Sequence, residues 1–335
     1  MTAGYVLRRL GGTLVLLFVL SVAVFALLQA APGDPARTLL GPRNATPDAL
    51  AAVRARHHLD QPFAVQYVRW AGDALRLDLG TSIRTGASVA ATIGGRLALT
   101  GQLVGLGLAI ALLLGVPGGV LAALRRYRAT DRVVQTASLI ALSTPAFAGG
   151  LVLIYVFSLM LGWFPAYGPG EGGERLLHLV LPSVALALGV TAVLLKLTRA
   201  AVIRELDKEH VVFARARGVP ERRILVHYVL RGALVPVLTG VGLVVAYLLA
   251  GTVMVEQVFA LPGLGSLLVD SVTYRDVPLV QAEALLIAVL VCLAGLLTDL
   301  AQPLVDPRLR PVAAAPRRAG PPSGGSSLRS TGEPR

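Results

Sequence analysis

Residues 205–236 read ELDKEHVVFARARGVPERRILVHYVLRGALVP, a basic stretch set between two long apolar segments. Its punctuation is helical. Asp207 is placed to cap a short helix running to Arg217, Gly218 suits the left-handed residue that closes it, and Pro220 with Glu221 suits the first turn of the next. The stretch predicts helix, break, helix. Val211, Val212, Phe213 and Ala214 give the first helix apolar surface, and Arg215 and Arg217 lie at its C-terminal end, where the helix dipole favours positive charge. So short a helix is marginal alone in water, which suits it to being gripped by another protein. By charge alone the stretch is also an ordinary positive cytoplasmic loop, one that orients a membrane protein and meets anionic lipid.

The flanking segments set the class. The chain of 335 residues is 55% hydrophobic and 15% charged, with a mean hydropathy of +0.70, too apolar for a soluble domain whose surface must carry charge. Apolar runs lie at about 10–31, 99–124, 133–161, 176–197, 233–255 and 279–300. Each is long enough to span a bilayer, since about 20 helical residues cover roughly 30 Å. The first follows Arg8 and Arg9 and ends in small residues, as a signal peptide does. Its apolar core is too long for one and other spans follow, so it reads as a retained helix.

Charge in the short loops orients the spans. Arg8 and Arg9 precede the first, Arg125, Arg126, Arg128 and Arg132 separate the second and third, and Lys196, Arg199, Arg204 and Lys208 lead into the opening stretch. All are expected on the cytoplasmic side. The alternate loops hold Arg175 and Arg275 among Glu171, Glu174, Glu256, Asp270 and Asp276, and are expected outside; both termini are then cytoplasmic. Residues 32–98 form a long external loop, whose arginines do not disturb this topology because long loops translocate largely regardless of charge. Within it Thr46-Pro47-Asp48 starts a helix, and Pro62 starts a second with Phe63, Tyr67, Trp70 and Leu75 on one side, an amphipathic pair suited to the membrane surface.

Other features punctuate the spans. Ser143-Thr144-Pro145-Ala146-Phe147 places a proline inside the third, which kinks a helix and is useful where a pathway opens; Pro117 and Pro182 repeat the device. Plain helix packing accounts for such residues equally well. Ser143, Thr144, Pro145, Phe147 and Pro182 are the candidates for a gate or kink. The net charge of +12 does not imply nucleic acid, because no basic face carries aromatic side chains for stacking bases. His57 and His58 are neighbours on a helix and point about 100° apart, so they form no metal clamp alone. No metal site is expected, and the one cysteine, Cys292, excludes an intrachain disulfide. The only lysines, Lys196 and Lys208, follow no glycine, so no phosphate-cradling G-x-x-x-x-G-K-[ST] loop exists and no catalytic motif replaces it. The spans nearly lack charge at mid-depth, with Glu283 and Asp299 near the ends of the last, which argues against a proton-coupled carrier.

Taken residue by residue, the opening stretch resembles the cytoplasmic loop of bacterial ABC importer permeases of the dipeptide, oligopeptide and nickel branch. Glu209, Val211 or Val212, Ala214, Arg215, Ala216, Arg217 and Gly218 follow that family's order, then Glu221, Arg222 and Arg223, then His227, Leu230, Arg231, Ala233, Leu234 and Pro236. Pro32 to Pro35, Asp78, Leu79, Gly80 and Ser82, and Glu256 to Gly265 match its other segments. Where the wider superfamily has Glu-Ala-Ala this chain has Val212, Phe213, Ala214, so the usual glutamate ion pair is not expected.

The resemblance implies an all-α polytopic membrane protein of the type I ABC importer permease fold, with six transmembrane helices and an external helical insertion after the first. Residues 1–31 would be the N-terminal tail and first span, 32–98 the external loop, 99–310 the permease core with a coupling loop at 198–232, and 311–335 a disordered tail. It implies a second homologous permease, two ABC ATPases carrying ATP and Mg, a solute-binding protein outside, and no cofactor on this chain. Its setting would be a bacterial inner membrane, with lipid around it. Asp207, Glu209, Val212 to Gly218 and Glu221 to Arg223 would contact the ATPase; Asp34, Asp78, Gly80, Ser82, Phe259, Pro262, Gly263 and Gly265 would help dock the binding protein. Peptides are the expected cargo, with nickel, glutathione and oligosaccharide open.

Overall fold

In lipid an apolar run satisfies its backbone only as a helix. The computed structural model describes residues 3–29, 46–48, 51 and 61–305, and among these the sole strand pairing is an isolated bridge, Thr81 with Ser88. The helices are α1 (Ala3–Gln29), α2 (Phe63–Leu75), α3 (Val89–Leu124), α4 (Ala129–Ser143), α5 (Ala146–Leu153, extended by π-helical Ile154–Met160), α6 (Arg175–Leu206), α7 (Glu209–Ala216), α8 (Glu221–Ile224), α9 (Leu230–Val258), α10 (Leu264–Thr273) and α11 (Val277–Val305). Among the described residues five helical segments are each long and apolar enough to cross a membrane, and α4 with α5 make a sixth only as a pair.

That pair departs from expectation. The third span was expected to be one helix kinked at Pro145; instead α4 and α5 meet at 104°. Proline drives the residue before it out of the helical region, and Thr144 accordingly sits at φ −90°, ψ 115°. Its hydroxyl donates to the Ile140 carbonyl at 2.8 Å, occupying an acceptor at the broken end. The pair still traverses the bundle. α4 begins against Arg199 near the end of α6, and the loop after α5 is tied to the far end of α9 by the Gly168 N–H donating to the Phe259 carbonyl at 3.0 Å.

The centre is α3, α6 and α9, with Leu103, Leu194 and Leu248 fully enclosed. α3 lies close to α6 because small residues face it: a Cβ on Gly119 would stand 2.6 Å from the Leu195 carbonyl oxygen. α1 flanks α11, held by Arg9 to Asp299 at 2.7 Å and by the Tyr5 hydroxyl on the Asp299 carbonyl at 3.1 Å. α2 lies across the far end of α1, with Phe63, Tyr67 and Trp70 grouped around Phe25.

Two boundaries move. α3 begins at Val89, within residues read as external loop, and α8 runs through the π-helical turn Leu225–Val229 into α9, so the fifth span is continuous from Glu221 to Val258. Pro32 to Pro35 with Asp34, the helix read after Asp48 with His57 and His58, and the tail 311–335 lie outside the described residues.

Candidate functional site

The opening stretch folds as a knuckle between α6 and α9. Asp207 does not cap α7 as its position suggested. It is the C-cap of α6, and its carboxylate reaches Arg126, 3.4 Å away in the turn after α3; Lys208 holds the N-cap place of α7 without a side-chain bond. Lys208 instead pairs with Glu205 at 2.6 Å. Glu205 is buried, and the start of α9 passes so close that a Cβ on Gly232 would collide with its carboxylate.

α7 has two unlike apolar faces. Val211 and Ala214, three residues apart on a helix, share a side and enter a cluster with Ala123 of α3, Val202 of α6 and Ile224 and Val229 beyond the knuckle. Val212 and Phe213 point away and are 55% and 65% exposed. The sequence offered all four as one apolar surface, and only register divides them. Fully burying a Phe side chain contributes about 1.5–3 kcal/mol, so Phe213, 65% exposed, leaves a part of that stabilisation for a partner to supply. Glu209, Arg215, Ala216, Arg217, Glu221, Arg222 and Arg223 are exposed beside it.

The far end of α7 is a Schellman turn. Gly218 has φ +75°, its N–H donates to the Arg215 carbonyl at 2.9 Å, and the Val219 N–H donates to the Ala214 carbonyl at 3.1 Å. Val219 packs on the same apolar cluster as Ala214. Across the turn Arg215 donates to both Glu221 oxygens, at 2.7 and 3.2 Å, and this pairing raises the Arg215 pKa above its ordinary value. The pair is exposed, so it contributes only about 0.2–1 kcal/mol and serves mainly to set geometry.

Behind the knuckle lies a pair that sequence reasoning missed. Arg199 of α6 donates to both oxygens of buried Asp131, each at 2.8 Å, and the Tyr127 N–H adds a bond of 3.0 Å to the same carboxylate. This fixes the turn after α3 from which Arg126 reaches Asp207. The available signal was an aspartate in the first turn of an apolar helix directly after an arginine cluster.

The remaining candidates scatter. Ser143, Thr144, Pro145 and Phe147 lie at the α4–α5 corner, whereas Pro182 is buried inside an unbroken α6. Among the docking candidates Asp78, Gly80 and Pro262 are exposed, whereas Ser82, Phe259, Gly263 and Gly265 are buried and offer no surface. Ser82 donates to Asp276 at 2.5 Å, locking the 78–88 segment onto the start of α11. Gly263 and Gly265 give way to Glu256 and to the Val253 backbone, which a Cβ at either position would strike. Glu256, fully buried, accepts from the Thr100 hydroxyl at 2.7 Å and the Ser266 N–H at 2.8 Å, and Thr100 accepts from the Leu264 N–H at 2.8 Å. The Glu256 to Gly265 motif is thus the N-terminal cap of α10.

Residues 115–311 match the family described as binding-protein-dependent transport system inner membrane component, and residues 2–104 match its N-terminal companion. The chain belongs to this family. The permease is 38% identical over 310 residues to the probable peptide ABC transporter permease protein y4tP of Sinorhizobium fredii, spanning 91% of this chain and 99% of that one. It is 39% identical over 306 residues to the glutathione transport system permease protein GsiC of Escherichia coli K12, spanning 91% and 98%. A chain of the inward-facing MetNI methionine ABC transporter superposes with TM-score 0.54 at 19% identity, covering 64% of this permease and 96% of that chain. The permease shares the type I ABC importer fold, and it is a membrane transport component rather than an enzyme.

Proposed function

We propose that the permease forms one half of the channel of an ATP-driven importer for short peptides, and that residues 198–232 transmit work from an ATPase. The carrying observation is the two-faced α7, seated in the core through Val211 and Ala214 while Phe213 and Val212 stand exposed at the bundle end. A pull on such a helix passes into α6 through the Lys208 and Glu205 pair and into α9 through the continuous segment from Glu221. ATP and Mg would sit on two ATPase subunits, a second homologous permease would complete the channel, and a solute-binding protein would deliver cargo from outside. Residues 198–232 and both termini would then face the cytoplasm, following the arginine-rich short loops. Closure of the ATPases would favour outward access through contacts that differ between the two states.

Peptide cargo rests on the relatives, one named for peptides and one for glutathione, itself a tripeptide. The test replaces Phe213 by Asp in the assembled importer in proteoliposomes. Insertion is expected to stay normal while ATPase association and ATP-dependent peptide uptake fall together. Wild-type uptake would remove α7 from the coupling role.

A further inference from the structure

At the bundle end opposite α7, a shallow cavity of about 320 Å³, largely open to the surface, is lined by Arg96 of α3, Glu256 and Gln257 of α9, and Ser266 and Asp270 of α10. A smaller one of about 170 Å³ shares Arg96 and Asp270 with it. The charges around them are unevenly used. Glu256 is committed to capping α10. Arg96 makes only long contacts, 3.5 Å to the Gly263 carbonyl and 3.4 Å to the Ser266 hydroxyl, and has no ion pair among the described residues. Asp270 is exposed at the rim.

A further acid stands behind the wall. Glu283 is 1% exposed, and neither of its oxygens meets a donor among the described residues. It lies along the α11 face that carries Leu279 and Leu286 against Val89 and Ile93 of α3, close enough to Arg96, Glu256, Asp270 and Asp276 for their charges to act on it. An unpartnered buried carboxyl is costly. The junction therefore combines an underused guanidinium with several carboxylates.

We infer that this cavity receives a small zwitterion, the free-ended backbone of a short peptide, with its carboxylate on Arg96 and its ammonium on Asp270. A lone cation would meet Arg96 and a lone anion would meet the carboxylates, whereas a molecule carrying both signs pairs with each. The volume falls in the usual range for a small-molecule site, about 300–1,000 Å³. The inference rests on the peptide-importer reading and names the feature of the peptide that this permease would select.

The experiment uses the assembled importer in nanodiscs, without its binding protein. Cys292, the one cysteine and a buried one, is replaced by Ser, and Gln257→Cys supplies a thiol at the cavity rim. The dipeptide Ala-Ala is expected to slow thiol labelling severalfold, and N-acetyl-Ala-Ala and Ala-Ala-amide to slow it much less. Arg96→Gln should abolish discrimination between Ala-Ala and its amide, and Asp270→Asn discrimination against the acetylated form. Unchanged labelling without peptide shows that each variant is folded. Equal protection by free and capped dipeptides, or none by any, overturns the inference. ATP-driven uptake of Ala-Ala by the complete importer separates the two ideas: uptake without protection leaves peptide import standing and this site refuted, while protection without uptake supports the site and removes the cargo assignment.

Discussion

Replacing Gly218 tests whether α7 depends on its closing turn. A Cβ at this position would meet no heavy atom within 4 Å, so side-chain bulk costs nothing directly; the cost lies in the backbone, held at φ +75°. An ordinary L-residue pays roughly 1–2 kcal/mol for the left-handed region, Asn much less, and a β-branched residue most of all. If the turn opens, the Gly218 and Val219 N–H bonds to Arg215 and Ala214 are lost, and Val219 leaves the apolar cluster. A change of 1–2 kcal/mol alters the closed-to-open ratio by about 5–30-fold. Hydrogen exchange on the nucleotide-free importer should show α7 amides of Gly218→Ala exchanging faster by about that factor, Gly218→Val faster still, and Gly218→Asn close to wild type. Gly218→Val exchanging like wild type would refute the reasoning. So would Gly218→Asn exchanging as fast as Gly218→Val, since bulk rather than conformation would then govern the site.

Three other outcomes follow from the same geometry. Asp131→Asn or Arg199→Gln leaves one partner of a largely buried pair unmatched, at a cost on the order of 3 kcal/mol; thermal unfolding should show the double variant far less damaged than the two losses summed. Gly119→Ala should strip folded permease from membranes, because its Cβ would press on the Leu195 and Arg199 backbone, whereas Gly101→Ala, with open space, should leave yield unchanged in detergent chromatography. Glu256→Gln puts an amide donor where the carboxylate accepts from Thr100 and Ser266, costing about 1–3 kcal/mol. Amides of residues 264–266 should then exchange faster, and unchanged exchange would contradict the capping role.

Local chemistry was legible wherever one residue type meets one backbone need. Gly218 announced its left-handed turn, Pro145 announced a disturbance in the third span, and the long apolar runs announced the helices. Direction was not legible. Val211 to Ala214 read as one apolar patch because the division between Val211 with Ala214 and Val212 with Phe213 depends on where the core lies. Asp207 read as a cap because its partner Arg126 comes from a turn 81 residues earlier. A proline signals that a helix is disturbed, but the 104° corner is set by packing of both arms. Phe259, Gly263 and Gly265 drew attention as a motif, and a motif does not state whether it faces a partner or builds the turn. Glu283 looked like a residue near a span end until α3 and α10 closed over it.

The most direct measurement places Phe213 against its partner. With Cys292→Ser as background, Phe213→Cys in the assembled importer should crosslink to an ATPase subunit. In whole cells it should resist membrane-impermeant thiol reagents until the inner membrane is opened. Labelling of Phe213→Cys from outside intact inner membranes, or an ATPase that never crosslinks to it, would contradict the account.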